Sequence, residues 1–181
     1  ADVTLLKESE AQANYLAVHD PLTGLPNRSH VRQRFAEAVR DLPAGTEAAL
    51  VLIDLDHFKD VNDTLGHAVG DELLVDVAQR LRAAVRRSDL VARFGGDEFL
   101  ILVTAHDIVA ELARIHERIR TTVSAPLQVA GRSVRVTASL GAALFPRDGD
   151  DFEALLRRAH LGLLKPLGRL AVAGPDRKSV V

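Results

Sequence analysis

The sequence predicts an α/β fold in which helices pack on a mixed, largely antiparallel sheet. Three observations predict it. Residues 48–53 form a continuous apolar run of the kind found in central strands. Two β-prone runs at 90–92 and 99–103 flank a short Gly-rich turn. Amphipathic helical stretches alternate with these strand-like pieces. With 181 residues, 47% of them hydrophobic and 27% charged, the chain suits one globular domain with a full-sized core and short extensions.

In chain order, residues 4–18 carry Leu5, Leu6, Ala13, Leu16 and Val18 among Lys7, Glu8, Glu10 and Gln12, and read as a connector helix. From His19 to Arg28, two prolines, Gly24 and Asn27 mark a structured turn. The next helix is expected over 29–42, capped by Ser29, with Val31, Phe35, Ala38, Val39 and Leu42 on its apolar face. The strand at 48–53 exits into Asp54-Leu55-Asp56, whose two acids would share a face of extended chain. A polar segment over 60–70 precedes a helix expected over 71–86, with Leu73, Leu74, Val77, Leu81, Ala84 and Val85 inward. The hairpin comes next, with Arg93-Phe94-Gly95-Gly96-Asp97-Glu98 between its arms. Asp107 is placed to cap a helix reaching 123, with Ile108, Val109, Leu112, Ile115, Ile119 and Val123 as its stripe. Strand-like pieces at 127–130 and 134–144 are separated by a turn at Gly131-Arg132. Asp151 starts a last helix with Phe152, Leu155, Leu156, Ala159 and Leu163 inward, and Pro166 with Gly168 is expected to stop it.

Composition excludes several functions. Without cysteine there is neither a disulfide framework nor a thiolate metal site. A net charge of −2 carries no basic excess, so no nucleic-acid partner is expected. No apolar run approaches the roughly 18 residues of a membrane span and the start lacks a signal-peptide pattern, so no membrane contact by this segment is expected. The expected location is the cytoplasm, and the expected context is a piece of a longer sensor protein.

The acids and glycines carry the chemistry. Asp54, Asp97 and Glu98 converge if their two strands are sheet neighbours, and an all-oxygen donor set favours Mg²⁺ and suits phosphoryl transfer. Acids that merely solvate strand ends are the alternative. Lys59 can reach a phosphate or stand as an ordinary surface lysine. Asn62 and Asp71 together can read a guanine edge, although Asn62 also suits a turn and Asp71 a helix cap. His67 lies in the same segment and is the least specific of the three.

Four ordered motifs give these residues a family resemblance. Asp20-Pro-Leu-Thr-Gly-Leu-Pro-Asn-Arg28, Asp54-Leu-Asp-His-Phe-Lys59, Asn62-Asp-Thr-Leu-Gly-His67-Ala-Val-Gly-Asp71 and Gly95-Gly-Asp-Glu-Phe99 resemble the GGDEF domain of bacterial diguanylate cyclases over most of 16–170. The resemblance implies a palm-like nucleotidyl-cyclase sandwich that condenses two GTP into cyclic di-GMP and two pyrophosphates. It implies a domain over 19–172, preceded by the connector helix at 1–18 and followed by a tail at 173–181. Carried over residue by residue, Asp54, the Leu55 carbonyl and Asp97 hold Mg²⁺, or Mn²⁺ as an alternative, with Glu98 beside them. Asp97 is also the candidate for helping to deprotonate the attacking ribose hydroxyl. Asn62 and Asp71 read guanine, His67 lines the nucleotide, and Gly95 and Gly96 allow its close approach. Lys59, with the amides around His57 and Phe58, holds phosphates. Turnover implies a homodimer, each subunit holding one GTP. Arg86-Arg-Ser-Asp89 is similar to the family's product-inhibition site, although an Arg and an Asp beside a helix end can also form a simple surface pair.

The match departs at the last helix. The family pattern ends in Arg-Ala-Asp-x-Ala-Leu-Tyr-x-Ala-Lys-x-x-Gly-Arg-Asn, whereas this chain reads Arg158-Ala-His-Leu-Gly-Leu-Leu-Lys165-Pro-Leu-Gly-Arg169-Leu170. It is two residues shorter, with His160 in place of the acid. Two missing helical residues rotate the rest of the helix by about 200°, which puts the delivery of Lys165 and Arg169 to the triphosphate in question. Two functions therefore compete: an active cyclase, and a catalytically weak GTP- or cyclic di-GMP-binding module that regulates an attached or partner domain.

Overall fold

The computed structural model describes residues 2–163 and two short strands at 171–172 and 179–180. Helices α1 (Val3–Val18) and α2 (Arg28–Arg40) precede strand β1 (Glu47–Leu55). Two helices come next, α3 (Phe58–Leu65) and α4 (His67–Ala84), then the hairpin β2 (Leu90–Gly95) and β3 (Glu98–Ala105) and helix α5 (Ile108–Val123). The chain continues with β4 (Leu127–Val129), β5 (Arg132–Val134), β6 (Ala138–Phe145), α6 (Phe152–Leu163), β7 (Ala171–Val172) and β8 (Ser179–Val180). The main sheet runs β2-β3-β1-β6-β7-β8, and β4 pairs with β5 separately. β1 is antiparallel to both neighbours, β3 and β6, whereas β7 joins β6 in parallel. The expected antiparallel sheet with packed helices is what forms.

β1 is buried along nearly all its length because both its faces are covered. Ala49, Val51, Ile53 and Leu55 face one apolar cluster with Leu73, Val77 and Leu81 of α4 and Leu112, Ile115 and Ile119 of α5. Leu50 and Leu52 face the other, with Val31 and Phe35 of α2 and Leu155, Leu156 and Ala159 of α6. By the same alternation Asp54 belongs to the α2/α6 face. α6 comes close enough because β6 carries Gly141, where a Cβ would stand 2.1 Å from the Ala159 carbonyl oxygen. α1 buries none of its side chains.

Several boundaries differ from those expected. Asn27, not Ser29, caps α2: its Oδ1 accepts from the His30 amide at 3.1 Å, so the helix starts at Arg28. The polar segment 60–70 is mostly helical. Gly66, at φ 90°, separates α3 from α4 and lets the second helix begin at His67. Asp71 therefore lies inside α4 and is not its cap. The expected strand over 134–144 is two strands, parted at 135–137, where the Thr137 carbonyl takes the Asp56 amide at 2.9 Å. On α6, Gly162 is buried while Leu163 is only half-buried. Asp107 and Asp151 do accept from the Ala110 and Ala154 amides, as capping requires.

Candidate active site

β1 and β3 are sheet neighbours, and their register sets Asp54 directly opposite Glu98. Side chains paired across a sheet stand close on one face, so two carboxylates here repel. Asp97 occupies the turn just before β3. Its carbonyl accepts from the Leu55 amide at 3.2 Å, which pins the turn to the end of β1. Burial first, then the charges of Asp97 and Glu98, a hydrogen bond shared with Asp97, and the charge of Asp56 push the Asp54 carboxyl up to about 6. Crowded acids of this kind are relieved by a cation, and their donors are all oxygen, so the site suits Mg²⁺ in charge and chemistry. Among the described residues, no group of three or more His, Cys, Asp or Glu side chains is arranged to hold a metal ion.

Asp56 does something different from Asp54. It leaves the strand, and its carboxylate accepts from the Thr137 and Ser139 hydroxyls, both at 2.6 Å. It ties the end of β1 to β6, while its charge still bears on Asp54.

The hairpin is held by Arg93, whose importance the sequence alone does not reveal. Its Nε and Nη2 donate to the Gly96 carbonyl at 3.1 and 2.9 Å, and its Nη1 donates to Asp20 Oδ1 at 3.0 Å. Asp20 also accepts from the Thr23 amide and hydroxyl at 2.8 and 2.7 Å. Burial alone would raise the Asp20 carboxyl, but Thr23 and Arg93 outweigh it and hold it below the usual range. The clamp thus joins the 20–28 loop to the tip that carries Asp97. Gly96, at φ 51°, makes the turn in a conformation that strains other residues. A charged residue on a strand otherwise leading into apolar positions is the one signal of Arg93 in the sequence.

At the start of α3, His57 adopts the left-handed conformation, with φ 58°. The Asp60 and Val61 amides return to the His57 carbonyl, so the Phe58 and Lys59 amides precede the first helical bond, where an anion can use them. The Phe58 side chain is core, only 8% exposed, while Lys59 and His57 are exposed. Asn62 packs against Gly70, where a Cβ would fall 1.8 Å from its Oδ1. That oxygen is buried without a hydrogen-bond partner among the described residues. Gly70 is a second residue that the sequence-based expectations omit, and a glycine one position before Asp71, inside a helical run, is its signal. His67 and Asp71 are exposed on α4, and Asp71 lines an open cleft of about 380 Å³ with Leu22, Gln79 and Gln128.

From α6, His160 Nε2 reaches 3.6 Å from Glu98 Oε1, while its Nδ1 lies 3.0 Å from the Leu156 carbonyl. Lys165 and Arg169, and the expected stop at Pro166 and Gly168, lie outside the described residues. Arg86 and Asp89 sit by the far end of β3, where Arg86 Nη2 donates to the Thr104 carbonyl, and they pair with each other, Nη2 to Oδ1 at 2.9 Å.

The family model for the diguanylate cyclase GGDEF domain matches residues 17–166. This chain belongs to the GGDEF family. It is 41% identical over 160 residues to diguanylate cyclase TpbB of Pseudomonas aeruginosa, covering 87% of this chain and 37% of TpbB. The solved GGDEF domain of TpbB from that species superposes with a TM-score of 0.80 at 39% identity, over 86% of this chain and 94% of that one. The coiled coil and GGDEF domain of DgcB from Caulobacter crescentus, solved in complex with cyclic di-GMP, gives 0.80 at 29% identity, over 94% and 93%. The chain spans 20–37% of the length of the first curated relatives it matches. No helix among the described residues is long and apolar enough to cross a membrane.

Proposed function

We propose that this GGDEF domain is a Mg²⁺-dependent diguanylate cyclase that joins two GTP into cyclic di-GMP with release of two pyrophosphates. The observation that carries this reading is the convergence of Asp54, Asp97 and Glu98 at one end of β1, with Asp54 pushed up to about 6 by burial and by its acidic neighbours. Bound Mg²⁺ supplies charge neutralisation at the phosphates and eases loss of the ribose 3′-hydroxyl proton. Mn²⁺ fits the same donors. Asp54, Asp97 and the Leu55 carbonyl are the ligands in this reading, with Glu98 beside them. The Asp97 carboxylate takes the proton of the 3′-hydroxyl as its oxygen attacks the α-phosphate of the second GTP.

The chain's other residues bind and orient. The amides at the head of α3 and the Lys59 ammonium hold phosphates, the Asn62 amide and Asp71 carboxylate meet the guanine edge, and His67 lines the nucleotide. Gly95 and Gly96 leave the turn without side chains where the nucleotide approaches. Lys165 and Arg169 are the candidates for the terminal phosphates. Each subunit presents one GTP, so the product forms across a homodimer of the 19–172 domain, in the cytoplasm. Cyclic di-GMP then inhibits from the Arg86–Asp89 site.

The shortened last helix and His160 beside Glu98 favour a second reading, a weak cyclase that binds nucleotide to regulate another domain. One incubation separates the two. Purified protein with GTP and Mg²⁺ should yield cyclic di-GMP on chromatography, and chelation should stop it. GTP binding without product would leave the regulatory module.

A further inference from the structure

Glu111, in the first turn of α5, is only 6% exposed, and Asp89 only 3%. A buried carboxylate is costly unless paired. Glu111 has two guanidinium partners: Arg86 Nε lies 3.2 Å from its Oε1 and Arg114 Nη2 2.5 Å from its Oε2. Arg86 is correspondingly occupied. Its Nε also donates to Asp89 Oδ2 at 3.2 Å, and its Nη2 donates to Asp89 Oδ1 at 2.9 Å and to the Thr104 carbonyl at 2.8 Å. A guanidinium reads a phosphate or a guanine edge through two adjacent N–H groups. Asp89 takes the Nε/Nη2 edge with two hydrogen bonds, Glu111 stands against the same Nε as a second negative charge, and the Thr104 carbonyl takes part of the Nη1/Nη2 edge.

We propose that Glu111 is an internal competitor for Arg86, so that cyclic di-GMP engages this arginine only by displacing a buried carboxylate. The inference rests on the reading of Arg86 and Asp89 as a product site. Displacement is feasible because Arg114, 66% exposed, stays with Glu111 and keeps it paired. The ligand's two phosphates are also repelled by the Glu111 charge until Arg86 turns toward them. Glu111 therefore sets the product concentration at which inhibition begins.

Calorimetry with cyclic di-GMP on the whole protein tests this. Glu111→Gln keeps the size and removes the charge, and should tighten binding on the order of fivefold to tenfold. The initial rate at trace product should not change, because Glu111 lies outside the acid cluster. Arg86→Ala should weaken binding. Unchanged affinity in Arg86→Ala overturns the product-site reading itself. Weaker binding there with unchanged or weaker binding in Glu111→Gln overturns only the competition. A wild-type measurement is independent of how the variants fold: the Arg86 Nε–H resonance should shift when cyclic di-GMP is added. A resonance that stays in place while the ligand binds sinks the proposal.

Discussion

The two ends of β3 hold carboxylates in opposite circumstances. At its start, Glu98 faces Asp54 with Asp97 beside them, and no lysine or arginine among the described residues pairs with Asp54 or Asp97. Beyond its far end, Asp89 and Glu111 are more deeply buried, yet both are satisfied by Arg86, which also bonds the Thr104 carbonyl near the end of the strand. Burial alone therefore does not mark the reactive acids. An unneutralised cluster costs free energy that a bound cation recovers, whereas a neutralised one is already part of the scaffold. The first arrangement is short of positive charge, and the second already holds it.

The comparison breaks most sharply at the acids themselves. Asp54→Asn or Asp97→Asn should lower turnover by about a thousandfold or more while leaving thermal stability equal or higher, since each removes one of several like charges. A variant of either kind with near wild-type cyclic di-GMP formation would sink the metal assignment. Guanine selectivity should fall next. Asn62→Ala or Asp71→Ala should each cost about 1–3 kcal/mol of GTP-over-ATP discrimination, and Gly70→Ala should act like Asn62→Ala by driving the amide from its place. Competition assays with ATP read this directly.

A smaller effect is expected at the clamp. Arg93 and Asp20 are 16% and 15% exposed, so Arg93→Ala strands a largely buried carboxylate and should lower stability by about 2–3 kcal/mol in denaturant titrations, with loss of turnover as the Asp97 turn loosens. Intact stability would make the clamp a surface pair.

The smallest effect sharpens the contrast by pH. The folded Asp54 carboxyl is raised from 3.8 to about 6, so its contribution to stability is full below about 3.8 and is lost as pH rises through about 6. Mg²⁺ should therefore raise the melting temperature more well above pH 6 than well below it. An equal rise at both would mean that the cation binds elsewhere.

Apolar periodicity located β1, the hairpin, α5 and α6 to within a few residues, because those elements bury regular faces and the pattern is local. The same logic failed at 60–70, where polar residues on an exposed helix α3 masked its turns, and at Asn27, where a side chain displaced Ser29 as the cap by one hydrogen bond. The four motifs brought the chain to its family without any structure.

Ordering in space is a different matter. The sequence by itself determined which residues are acidic, where the glycines free the backbone, and that helices alternate with strands, since composition and local spacing carry that information. Only the tertiary structure decided that Asp54 faces Glu98 while Asp56 bonds two hydroxyls, that Arg93 joins Asp20 to Gly96, and that Arg86 is shared between Asp89 and Glu111. Strand register and partners distant in the chain fix those contacts, because a carboxylate's charge state depends on which groups lie within a few ångströms of it, and spacing along the chain does not carry that distance.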